Sequence, residues 1–252
     1  MMAKYILILA VFLFAQSNLF SQNIGPIDTD RPDQTESPVT LPKHYFQMET
    51  GFSFEQTNAE TRTYTHPSVL FKYGLTGRFD LRLITEFITV KNSIEDATGF
   101  NPVAVGFKMN IVKEKGILPT TSLLGLLALP RFATKDFIGA RYAPGFRLAM
   151  QNTISDKVDL GYNVGAEWDD ESGKPEFIYT VTTGYSVSDK VSAFGEIFGF
   201  APQYAIAYHS FDCGLSYLIK ENMSADISGG FGLTANAPDY FIALGFSFRL
   251  PN

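Results

Sequence analysis

The chain has little of what most functional sites are made from. One cysteine, Cys213, excludes an internal disulfide framework, and three histidines (His44, His66, His209) leave little material for a metal centre. Charged residues make up only 18% of the 252 positions, and the balance is acidic, with 20 Lys plus Arg against 26 Asp plus Glu. No groove of this chain would neutralise a phosphate backbone, so a nucleic-acid partner is excluded. No H-E-x-x-H, G-x-S-x-G or phosphate-loop pattern occurs. His209 and Ser210 are neighbours in one extended run and face opposite ways, while His66 and Ser68 share a face but belong to no motif. No catalytic residue, metal site or cofactor is therefore expected. Past the first twenty residues there is also no apolar run long enough to cross a bilayer as a helix.

What the chain does have is aromatic residues (23 Phe, 12 Tyr, one Trp), 21 Gly, and a period of two. In its last stretch, DYFIALGFSFRLPN, Tyr240, Ile242, Leu244, Phe246, Phe248 and Leu250 alternate with Phe241, Ala243, Gly245, Ser247 and Arg249. From Tyr45 to Gln56, Phe46, Met48, Phe52 and Phe54 alternate with Gln47, Glu49, Ser53 and Glu55. The same pattern recurs about twelve times. Short polar turns at Thr76-Gly77-Arg78, Lys113 to Gly116, Ser155-Asp156-Lys157, Ser188-Asp189-Lys190 and Lys220-Glu221-Asn222 alternate with longer links such as Asn92 to Gly99, Arg131 to Arg141 and Asp169 to Glu176. An even strand number with short turns on one rim and long loops on the other describes an all-β, antiparallel, up-and-down transmembrane barrel of about 12 strands in the outer membrane. A soluble sandwich or barrel is the competing reading. It would have to place the charge-free Phe and Leu face in water, and that much exposed apolar surface aggregates.

With the greasy face toward lipid, the charged positions point inward. The candidate lumen-lining residues are Glu49, Lys72, Arg82, Glu86, Lys108, Arg147, Glu167, Glu196, Asp212, Asp226 and Arg249. They either pair with one another across a narrow interior or line a conduit. Cys213 falls on the lipid face as a small apolar residue. Trp168 and Tyr162 suit an interfacial aromatic belt.

Three segments are expected. Residues 1–21 read as an export signal, with Lys4 before the apolar core Tyr5 to Phe14 and cleavage after Ser21 or Ala15. Residues 22–43 carry Pro26, Pro32, Pro38 and Pro42, four of the thirteen prolines, and cannot join a sheet ladder throughout. This segment lies in the periplasm or packs inside the lumen, where Asp30, Arg31, Asp33 and Glu36 could pair with Arg82, Lys108 or Arg147. Residues 44–252 form the barrel. The chain ends on a strand whose partner is Tyr45 to Gln56, with Phe248 the aromatic for the barrel-assembly machinery to read.

At DTDRPDQTESPVTLPKHYFQMETG (Asp28 to Gly51) the chain resembles an outer-membrane family labelled for the meta-pathway of phenol degradation. The resemblance continues through YGLTGRFDLRL, VGFKMNIVKEKGILP and GLTANAPDYFIALGFSF. The leader before Gln22 resembles Bacteroidetes-type signals. The resemblance implies an outer-membrane barrel passing small, hydrophobic or aromatic compounds; it does not imply phenol, and the residues alone name no solute. A non-transporting structural or surface-interaction barrel is the alternative, and a membrane-embedded hydrolase a more distant one.

Overall fold

The computed structural model describes residues 25–251; the expected signal sequence, the start of the proline-rich segment and Asn252 lie outside them. Among the described residues the strands are β1 Tyr45–Gln56, β2 Arg62–Thr76, β3 Phe79–Lys91, β4 Ala97–Phe100, β5 Val103–Val112, β6 Thr120–Leu129, β7 Ala143–Ser155, β8 Val158–Trp168, β9 Pro175–Ser186, β10 Val191–Pro202, β11 Tyr208–Lys220, β12 Met223–Gly232 and β13 Tyr240–Pro251. Every pairing is antiparallel, successive strands pair around the wall, and β1 closes the ring by pairing with β13 from Tyr45↔Pro251 to Gln56↔Tyr240. Closure leaves no sheet edge in the wall itself.

The wall has twelve positions because β4 and β5 share one. Both pair with β3, β4 through Phe87↔Phe100 to Val90↔Ala97 and β5 through Phe79↔Met109 to Ile84↔Ala104, with a break at Asn101-Pro102. The link expected as a loop from Asn92 to Gly99 is therefore shorter: Ala97 to Gly99 extend the hairpin above the wall. Proline has no N–H for the ladder, so the strand breaks there and resumes. The extension is capped by Thr134 of the β6–β7 loop, whose Oγ1 accepts from Phe100 N at 2.9 Å.

The alternation sorts side chains as lipid requires. Leu215, Ile227, Ile242 and Leu244 are about half exposed on the outside, while Gln47, Glu49, Lys108, Ser122 and Ser247 are at 0–1% exposure inside. Aromatic pairs gather near both rims. Phe46–Phe71 and Phe79–Phe107 lie by the short turns, and Phe54–Tyr64, Phe87–Phe100 and Phe146–Trp168 by the long loops. This is the girdle arrangement of an outer-membrane barrel.

The face of His66 is a correction. A bulge between Thr65 and Ser68 interrupts the β1–β2 and β2–β3 registers. One extra residue reverses the alternation, so His66 points outward, 2.8 Å from Thr89 Oγ1 and edge-on to Phe87, while Ser68 faces the lumen. The Leu-rich stretch before Pro130, ambiguous in sequence, is fixed by pairing: Leu124 sits opposite Lys108 and is buried, and Leu127 faces out.

The sorting has a measurable consequence. Leu244→Arg, on the outer face and paired with Phe52 and Ile227, should cost about 2–4 kcal/mol of unfolding free energy in vesicles. Ala243→Ser, one residue along and facing the lumen, should change it by less than about 0.5 kcal/mol. Equal effects would contradict the alternation.

Candidate functional site

The interior is organised by rows of residues in cross-strand register. Gln47, Lys72 and Arg82 lie in one row across β1, β2 and β3, and Lys108 on β5 sits opposite Asp80. Three cations thus project from adjacent strands into one volume, each nearly inaccessible to water. Such charges need partners at once. Glu49 and Asp80 supply two from the wall: Glu49 contacts Lys72, and Asp80 lies 3.5 Å from Arg82 Nε.

The rest come from the segment before β1. Asp30 receives Lys72 Nζ at 2.8 Å and Lys108 Nζ at 2.5 Å and is also bonded to Arg82. Glu36 receives Arg82 at 2.9 Å and Lys108 at 3.2 Å. Burial works against charge on Asp30, but Arg82, Lys108 and Lys72 outweigh it and hold the carboxyl well below its usual range. Prolines keep this segment extended and out of any ladder, so its backbone groups bond to lumen side chains instead. Asp30 N donates to Glu49, Gln34 N to Glu196 at 2.7 Å and Glu36 N to Asn163 at 2.7 Å. The carbonyls of Asp28 and Pro38 accept from Gln47 and Ser122.

Arg31 runs the other way. A second row holds Asp226, Gly245 and Gly51 on β12, β13 and β1, and the two glycines leave a bare track. Arg31 lies along it and reaches Asp226 at 3.0 Å; a Cβ on either glycine would overlap the guanidinium.

Among the described residues no cation pairs with Asp33. It faces Glu196 on β10, Asp212 on β11 and Thr182 on β9, and burial together with the Glu196 charge pushes its carboxyl well above the usual range. Glu196 and Asp212 are themselves directly opposite in register. The lumen thus presents a cationic strip on β2, β3 and β5 and an anionic strip on β10 to β12.

The remaining candidates lie apart from this lattice. Arg147 pairs with Glu167 on the neighbouring strand at 2.6 Å and touches the segment only through the Gln34 carbonyl, 3.2 Å away. Glu86 accepts from Asn101 at 3.0 Å. Arg249 donates to the carbonyls of Gly25 and Pro26. Asp80, Gln47, Ser122 and Asn163 also take part, although none was among the lumen candidates; Asp80, Gln47 and Asn163 share strand and parity with Arg82, Glu49 and Glu167, which was the available signal.

Cavities flank the segment. A 360 Å³ cavity toward the short turns and a 640 Å³ cavity toward the long loops both border Arg31, Pro32 and Asp33. A further 630 Å³ hollow at the long-loop rim is bordered by Glu86 and Glu167. Among the described residues no three His, Cys, Asp or Glu side chains converge as a metal cage.

Two outcomes follow from this electrostatic layout. Because seating raises the Asp33 pKa, the seated segment holds a proton that the released one loses near 3.8. Seating around Asp33 is therefore strongest below that value and weakens as pH rises through the raised one. The lowered Asp30 keeps its hold throughout that range and loses it only in stronger acid. Amide exchange, corrected for its intrinsic pH dependence, should show protection at 33–35 falling with pH while protection at 29–31 and at Glu36 persists. Arg82→Met removes one partner from a buried ion cluster, a change worth about 3–5 kcal/mol. The partners lost are Asp30 and Glu36 of the segment, so the loss should appear as faster exchange at 28–37 and not as a lower unfolding midpoint of the wall.

Comparison with known proteins agrees with the fold. The chain is similar to an outer membrane channel from Pseudomonas putida F1 (TM-score 0.68, 12% identity, covering 87% of this chain and 99% of that one). It is similar also to the NanC porin (0.56, 11%, 81% and 100%) and to the KdgM porin in complex with disordered oligogalacturonate (0.55, 8%, 80% and 98%). No curated protein sequence matches the chain. Residues 29–250, from the charged segment through the closing strand, match one family model, and the chain therefore belongs to the family described as "Putative MetA-pathway of phenol degradation".

Proposed function

We propose that the protein is an outer-membrane channel for passive diffusion of small molecules, with residues 26–38 as an internal partition that must shift for solutes to pass. The observation that carries this reading is the pair of cavities bordered by the same three residues, Arg31, Pro32 and Asp33, from opposite sides. A purely structural barrel has no need of hollows above and below a thin strand of chain; a channel with a movable obstruction does. The two porins and the channel that share the fold are consistent with it.

The lumen candidates take distinct roles in this reading. Lys72, Arg82 and Lys108 with Glu49 anchor the partition through Asp30 and Glu36; Asp226 anchors it through Arg31, and Arg249 holds its start. Glu196 and Asp212 meet Asp33, and Glu86, Arg147 and Glu167 line the entry from the long loops. The family label and the inward Phe198, Phe200 and Phe241 support aromatic or hydrophobic solutes. Catalysis is not part of this reading: His209, the histidine nearest a serine in sequence, is bonded through Nδ1 to Tyr179 at 2.8 Å. Partners are outer-membrane lipid and, through Phe248, the assembly machinery, with no nucleic acid. The leader before Gln22 supports export in a Bacteroidetes-type cell.

The opposing reading is a sealed structural barrel, favoured by the number of buried ion pairs that hold the segment. Liposome swelling with sugars, amino acids and aromatic solutes separates the two when run on the full chain and on a variant lacking residues 22–38. The channel reading expects uptake that increases on deletion, with a matching rise in single-channel conductance. No uptake by either protein overturns the channel; unchanged conductance and thermal stability on deletion overturn the partition.

A further inference from the structure

The 640 Å³ cavity is lined by rings and carboxyls together. Aromatic rings face inward from three strands: Phe198 is edge-on to Phe200 at 6.0 Å and 6.3 Å from Phe241, and Phe200 stacks on Tyr208 at 5.1 Å. Phe198 lies on the same face of β10 as Glu196, two residues on, and is itself nearly covered, while Phe200 and Phe241 are partly open. Among the rings are carboxyls: Asp33, Glu55, Glu86 and Asp212 border the cavity, Glu55 directly opposite Phe241 in register, and Arg31, the cation among the lining residues, is committed to Asp226.

Two atoms in this lining have no partner. Asp212 Oδ1 and Ser228 Oγ are buried without a hydrogen bond, in residues only 1% and 4% exposed. They are close in the wall, since Asp212 pairs with Gly230 on β12, two residues beyond Ser228 and on the same face. A buried carboxylate oxygen without a donor asks for one, and an aromatic shelf beside it accepts the flat, apolar part of the same molecule. An anionic solute would meet the Glu55 and Glu86 carboxyls and, among the lining residues, no uncommitted cation. A cation gains from the carboxylates and from the ring faces together.

We propose that this cavity is a binding site for organic cations built on one aromatic ring, with the ring against Phe198, Phe200 and Phe241 and the ammonium on Asp212 Oδ1 within reach of Ser228 Oγ. This deepens the channel reading by naming the solute class its long-loop vestibule selects.

Three probes of one shape and different charge test it: phenethylammonium, phenethyl alcohol and phenylacetate, titrated calorimetrically into the full-length protein in detergent at neutral pH. The ammonium should bind about tenfold more tightly than the alcohol, the usual gap between charge-assisted and neutral hydrogen bonds, and phenylacetate should not bind. Asp212→Asn should erase the difference between ammonium and alcohol, and Phe241→Ala should weaken both. Asp212→Asn keeps a side chain that can donate a hydrogen bond to Glu196, directly opposite in register, so the barrel should still form and show heat-modifiable migration; Ser228→Ala gives a second, smaller test at the same end of the ligand. Phenylacetate binding as well as the ammonium, or Asp212→Asn leaving ammonium affinity unchanged, overturns the site. Binding with no liposome uptake of any probe would sink the channel and keep the site. Uptake without binding would do the reverse.

Discussion

The fold turns on one electrostatic constraint: three cations from neighbouring strands converge where water is nearly absent, and the wall alone does not satisfy them. Lys72, Arg82 and Lys108 outnumber Glu49 and Asp80, and Asp30 meets all three. A narrow barrel with an apolar outside cannot turn these side chains toward lipid, where the cost of charge is higher still. Something must enter the lumen to neutralise them, and a segment tethered directly ahead of β1 is present at high effective concentration. Its prolines then become an advantage: an extended chain without ladder-forming capacity offers its backbone amides to Glu49, Glu196 and Asn163 without competing for strand pairing.

The contacts along that segment differ in kind. At Asp30 and Glu36 opposite charges compensate each other and the attraction survives across ordinary pH. At Asp33 carboxyls gather with no cation, so the contact depends on protons and on hydrogen bonds such as those from Gln34 and Thr35 to Glu196. The firm contacts flank the weak one, which lies between them against β10 and β11. A segment that moves would therefore bow outward between Asp30 and Glu36, freeing the space beneath Asp212 first. Arg31 on its glycine track is the intermediate contact, held by one ion pair and by the absence of two side chains.

Much of this architecture could be read from the sequence because a period of two is a local property. The outward Phe46, Met48, Phe52 and Phe54 and the inward Gln47 and Glu49 require no tertiary knowledge, only the pleat. The reading failed where one residue was added or a donor was missing. The bulge around His66-Pro67 turned His66 outward, and Pro102 split one wall position into β4 and β5. Partners were harder than faces. That Asp30 and not Asp33 would meet the cations depends on which lumen residues share a row, and rows follow from barrel closure and stagger rather than from spacing along the chain. Gly51 and Gly245 read as unremarkable strand glycines until β1 and β13 are placed side by side.

The same register argument explains why the inward aromatics are not a packing accident. Phe198 lies beside Ser210 and Thr180 in its row, with Glu196 and Asp212 forming the adjacent row. Small polar neighbours do not fill the space; Phe198 is covered by packing against Phe200 and Phe241, and those two rings stay partly open to the cavity. Filling that space with Leu or Ile would have sealed the barrel by ordinary packing, as Leu124 does opposite Lys108. Rings placed over unpaired acceptor oxygens keep the vestibule open to water while giving it affinity for molecules that are apolar at one end and donate at the other. The anionic strip that weakens the segment's grip on β10 and β11 is thus the same strip that gives a cationic solute a reason to enter, so binding above and loosening below act on one set of carboxyls.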